Sequence, residues 1–122
     1  MKTDMTYNSI FLGSFKSKED IADCFEINRH QLDDLDVLFA IYDQDGYDAS
    51  AFVLFRNPVD GKLYEVYGSH CSCFGLEGQW DPEETTKEAV LKIKPFSYIP
   101  GGEEVYKVIE DLVKSLPDDD AK

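Results

Sequence analysis

Long hydrophobic runs are missing from this chain of 122 residues. No apolar stretch approaches the ~20 residues that a bilayer-spanning helix needs. The opening Met1-Lys2-Thr3-Asp4 continues into mixed polar sequence, without the apolar h-region of a secretory signal. Cysteine is scarce: Cys24, Cys71 and Cys73. An odd count with a tight Cys-x-Cys pair is a poor disulfide framework. Together these absences lead us to expect a cytoplasmic protein with reduced thiols. Positive charge is scarce as well. Twelve Lys and Arg face 25 Asp and Glu, for a formal net charge of −13. Such a surface repels phosphate backbones and anionic lipid, so direct binding to nucleic acid or membrane is not expected; a partner with a basic surface is. A Ser-centred elbow, a phosphate loop and a His-Glu metal helix are all absent, and no cofactor is expected.

What is present suffices for a core. At this length a single domain over 1–122 is the natural reading, and it can bury apolar surface without staples. Residues 1–16 read as an N-terminal arm or edge strand. Ser17 before Lys18-Glu19-Asp20 is an N-cap followed by acids, opening a short helix near 18–26 with Ile21, Ala22 and Phe25 on one face. A short turn covers 28–34. The runs near 37–42, 50–56 and 62–68 are rich in β-formers, and turns at Asp43-Gln44-Asp45-Gly46 and Asn57–Gly61 separate them. Short connections imply antiparallel pairing. The first two runs are apolar on both faces, so both sides of that part of the sheet should be covered. Asp81-Pro82-Glu83-Glu84 has the form of a helix start, predicting a helix to about Ile93. A last helix over 103–115 carries an apolar stripe of Val105, Val108, Ile109, Leu112 and Leu116. Residues 117–122 are expected to form a flexible acidic tail. The predicted class is α+β: a small antiparallel meander of three or four strands packed with two or three helices.

The segment from Gly68 to Trp80 concentrates Cys71, Cys73, His70 and the only Trp. In an extended strand Cys71 and Cys73 share a face and His70 points the other way. If a metal is present, those three are its ligands, with Cys24 or His30 completing the set. The usual Cys-x2-Cys spacing is missing, however, so the primary reading has no metal. As a thiol nucleophile, Cys71 lacks a well-aimed base, because adjacent side chains diverge. The structural alternative treats the small residues as a tight crossover that Trp80 plugs, with the cysteines acting as small hydrophobes. Asp43, Asp45 and Asp48 around Gly46 miss the spacing of an EF-hand loop.

The acids are unevenly spread. Glu19, Asp20, Asp23, Glu26, Asp33, Asp34, Asp36, Asp43, Asp45 and Asp48 are opposed within their span by Arg29 alone. B-DNA carries about one charge per 1.7 Å of axis. A folded face bearing these carboxylates could imitate part of that pattern, or could serve only as a solvated face. Glu77, Asp81, Glu83, Glu84 and Glu88 form a second candidate patch.

The runs Leu38–Tyr42, Ala51–Phe55 and Gly61–Val66, and above all Gly68-Ser69-His70-Cys71-Ser72-Cys73 with Gly75-Leu76-Glu77-Gly78-Gln79-Trp80, resemble a group of small acidic proteins of tailed bacteriophages and prophages. The likeness covers about the central half of the chain and carries over no catalytic residue. It implies a phage accessory protein that binds and disables a host machine. Such a machine would be a nucleic-acid-binding defence complex, so that the expected roles include anti-CRISPR and anti-restriction inhibition. A small metal- or thiol-dependent enzyme centred on Cys71, Cys73 and His70 is one alternative, and a virion structural or assembly protein is another.

Overall fold

The computed structural model describes residues 10–45, 48–70, 75–92 and 102–116. Five strands form one sheet in the order β1-β2-β3-β4-β5. They are β1 (Ile10–Gly13), β2 (Asp36–Asp45), β3 (Asp48–Asn57), β4 (Lys62–His70) and β5 (Glu83–Thr85). The helices are α1 (Lys18–Phe25), α2 (Lys87–Leu91) and α3 (Gly102–Lys114), with a 3-10 turn at Arg29–Leu32. The class is α+β, as expected from the sequence. The three central runs do form an antiparallel meander.

Two features differ from expectation. The sheet has five strands and is mixed, because β1 pairs parallel to β2, with Ile10 opposite Phe39 and Gly13 opposite Tyr42. Parallel neighbours need a crossover, and the α1 segment with the 3-10 turn supplies it. The helix expected from Asp81 to Ile93 is replaced by β5 followed by the five-residue α2, with Ile93 outside the described residues. Two N-cap signals compete here. Thr86 wins over Asp81, accepting a hydrogen bond from the Ala89 N–H at 3.1 Å. The losing segment stays extended because it gains ladder bonds to β4 and buries Thr85 opposite Leu63.

Both faces of β2 and β3 are covered. On one, Phe15, Ile21, Phe25, Leu32 and Leu76 pack on Val37, Ala40, Val53, Phe55 and Val66. On the other, Val90, Ile109 and Val113 pack on Phe39, Ile41, Phe52 and Leu54. These are called the α1 face and the α3 face below. Val108 departs from the predicted stripe: it lies at the solvent side of α3. The register of β2 against β3 shifts between Val37 and Phe39, so Leu38 is an extra residue, a β-bulge. Leu38 is fully buried with Leu63 and Leu116, and it pins the end of α3.

Candidate functional site

The acidic crossover begins at the Tyr42 end of the sheet. Gly13 holds φ +65, and Ser14 N–H donates to Tyr42 O at 2.8 Å. Phe15 packs on Tyr42 with ring centroids 5.2 Å apart. Ser17 then caps α1, its side chain accepting from the Asp20 N–H at 3.4 Å, while Asp20 Oδ2 accepts from the Lys16 N–H at 2.8 Å. The apolar spacing of Ile21, Ala22 and Phe25 turns that side of α1 inward and leaves Glu19, Asp23 and Glu26 exposed. Glu26 ends the helix in the left-handed region at φ 58, and Asn28 and Gln31 form a capping box on the 3-10 turn. Leu32 is buried beside Val37, and β2 begins at Asp36. The crossover therefore runs from the Tyr42 end to the Asp36 end, with α1 over the face between them.

This path sorts the ten acids into three groups. Asp33, Asp34 and Asp36 are exposed at one end. Asp43 is exposed at the other, where Asp45 and Asp48 close the β2–β3 ladder with side chains outside the description. With Leu38 surplus to the ladder, six steps at about 3.3 Å each separate Asp36 from Asp43, or ~20 Å. The α1 carboxylates form the middle group. Arg29 is fork-bound to Asp23 at 3.0 and 3.3 Å, and His30 Nδ1 lies 2.9 Å from Asp33. The first pairing raises the Arg29 pKa. Glu19 is held below its ordinary value by its own backbone N–H and the Ser17 hydroxyl, with the Arg29 charge adding to the effect. Glu19 thus stays ionised at neutral pH.

The second patch does not form one surface. Glu77 and Cys24 both push up the Tyr42 hydroxyl pKa, behind the larger effect of burial, so Glu77 belongs with the α1 acids. Glu83 and Glu84, adjacent on β5, point to opposite faces of the sheet, with Glu84 3.4 Å from Lys62. Glu88 lies exposed on α2, and Asp81 precedes β5.

The loop before β5 is built around Gln79. Its side-chain oxygen accepts from the Ser69 N–H at 2.8 Å, and its Nε2 donates to Ser69 O at 2.8 Å and to Gly75 O at 3.1 Å. One amide thus replaces a strand neighbour along β4 beyond the end of β5. Trp80 stacks on Phe55 at 5.9 Å and meets Phe25 edge-on at 5.2 Å. Trp80 thus closes the end of the Gly68–Trp80 segment, which leads from β4 to β5 and not, as expected, into a helix. Cys71 and Cys73 lie outside the described residues, as does the side chain of His70. Among the described residues no three His, Cys, Asp or Glu side chains gather as a metal site. Burial, then Asp20 and Asp23, push the Cys24 thiol pKa up, which disfavours the reactive thiolate. Sequence reasoning passed over Gln79 and Glu65; a Gln one residue after a Gly in a turn was the available signal for the first.

No family model, curated protein or solved structure matches this chain. Among the described residues no helix is long and apolar enough to cross a membrane.

Proposed function

We propose that this chain is a phage-type accessory protein that acts in the host cytoplasm, binding and inhibiting a host protein whose basic groove normally holds nucleic acid. One observation carries the reading: three groups of carboxylates lie along ~20 Å of the sheet's length, by the strand rise of about 3.3 Å per residue, and among the described residues Arg29 and His30 are the basic side chains paired to them. Carboxylates on a folded surface present charge to a basic groove as phosphates do, without the ordering cost of a flexible acidic chain. The resemblance to phage proteins supplies the host context.

The test begins with capture of the partner from host lysate, followed by titration at low and high salt, with and without the partner's nucleic acid. The two ligands should compete, and affinity should fall as salt rises. Changing Asp33, Asp34 and Asp36 together to Lys should slow association more than it speeds dissociation. Salt-independent affinity with simultaneous binding of both ligands rejects the reading.

A further inference from the structure

The β4–β5 contact is short and internally opposed. Three register pairs hold β5: Leu63 with Thr85, Tyr64 with Glu84 and Glu65 with Glu83. The last places two carboxylates directly across from each other on the α3 face, where like charges destabilise a sheet. Glu65 is half-buried, and its Oε1 is enclosed without a hydrogen-bond partner among the described residues. Burial pushes its pKa up. The hydroxyls of Tyr67 and Thr85 offset that in part, and Glu83 adds to it. The charged groups on this side include Arg56, diagonal to Glu65 on β3, and Lys87 at the head of α2, whose ammonium donates to Leu116 O at 2.8 Å; α3, packed on the same face, carries the Lys114–Glu110 pair at 3.3 Å.

We propose that β5 is a pH-sensitive strap: it lies closed on β4 when Glu65 is protonated and loosens when Glu65 ionises. The protonated carboxyl lacks the charge that Glu83 opposes, and its O–H can donate to the Glu83 carboxylate. The ionised form restores both the repulsion and the cost of a buried, unpartnered anion oxygen. The strap is fixed at both ends. Before it, Gln79 is clamped to Ser69 and Trp80 is packed on Phe55; after it, Val90 of α2 is fully buried. Loosening is therefore confined to Glu83–Thr85, and it bares the backbone edge of β4 at Leu63–Glu65. A bared edge is open to strand addition.

The sign follows from linkage. A carboxyl whose pKa is raised in the folded state is most favourable below the ordinary carboxylate pKa. It loses that advantage as pH rises through the raised value, and the loss is complete above it. Amide exchange at Glu83 and Thr85, whose N–H groups face β4, corrected for its intrinsic pH dependence, should show protection falling as pH is raised from the ordinary carboxylate range, about 4, to 8. Glu65→Gln, which keeps the shape without the charge, should raise protection at pH 8 several-fold and flatten the profile. Glu83→Gln should give an intermediate profile, since it removes the repulsion and leaves the burial. Amides of Ala40 and Val53, in the middle of the sheet, serve as controls for global opening. A wild-type profile that is flat, a Glu65→Gln profile that keeps the wild-type slope, or a fall shared equally by Ala40 and Val53 overturns the proposal.

Discussion

Individual glycines show how far a residue's role depends on its surroundings. Gly13 and Gly61 have nearly the same backbone, at φ +65 and +73. A Cβ on Gly61 would meet open space, whereas one on Gly13 would lie 2.2 Å from Tyr42 O. Gly61→Ala should cost about 1–2 kcal/mol, the ordinary penalty for left-handed backbone. Gly13→Ala should cost distinctly more, because the clash is with the backbone of β2, the strand that β1 pairs with. Gly68 is a third case: a Cβ there would stand 2.9 Å from Leu76 Cδ2 and 3.3 Å from Phe25 Cε1, so Gly68→Ala should cost about 1 kcal/mol or more through overpacking. Urea denaturation of the three variants gives the order directly; equal midpoints for Gly13→Ala and Gly61→Ala would count against the contact. The Ser17 cap was legible because capping is local, using residues three apart. The need for Gly68 was not, since Leu76 and Phe25 reach it from elsewhere in the chain.

At the level of elements, the central meander was readable because each β run is bounded by its own turn residues. The segment after Trp80 misled for the opposite reason. Asp81-Pro82-Glu83-Glu84 carries every local sign of a helix start, yet the free edge of β4 offers Glu83–Thr85 a ladder, and Thr86 offers the helix a later cap. Propensity yielded to tertiary pairing. The two accounts part on a pair of substitutions. Thr86→Ala should lower stability by about 1 kcal/mol, the usual value of an N-cap, and Asp81→Ala should be nearly neutral. Thermal melts that reverse this order would restore the longer helix. The parallel pairing of β1 was likewise invisible in sequence, where residues 10–13 are too few to show a period. The acidic site was legible as a list and not as a shape. Periodicity could not reveal that the crossover lays α1 over the sheet between Asp36 and Asp43, nor that Glu83 and Glu84 part to opposite faces.

Taken whole, the molecule carries a formal charge of −13. Repulsion among its carboxylates opposes compaction. Added salt screens it over a Debye length of about 8 Å at physiological ionic strength. Melting temperature should therefore rise from low salt to physiological salt. Changing Asp33, Asp34 and Asp36 to Lys moves the net charge to −7 and should not lower the melting temperature at low salt, although it removes the His30–Asp33 contact. That contact is exposed, and such pairs contribute little. A marked drop would mean that these acids support the fold, and the same variant would then be unfit as a probe of binding.

The bulge at Leu38 has a consequence for changes in chain length. Removing one residue from a strand ordinarily turns every later side chain to the wrong face of the sheet. In β2 one residue is already surplus: Val37 opposes Phe55 and Phe39 opposes Leu54, with Leu38 between them unmatched. Excising Leu38 would leave a regular ladder with Phe39, Ala40, Ile41 and Tyr42 on their present sides. The loss would be the side chain's own packing against Leu63 and Leu116. Excising Ala40 instead would pull its neighbours out of phase with two cores at once. A one-residue deletion is thus survivable at this point of the strand and ruinous two positions later.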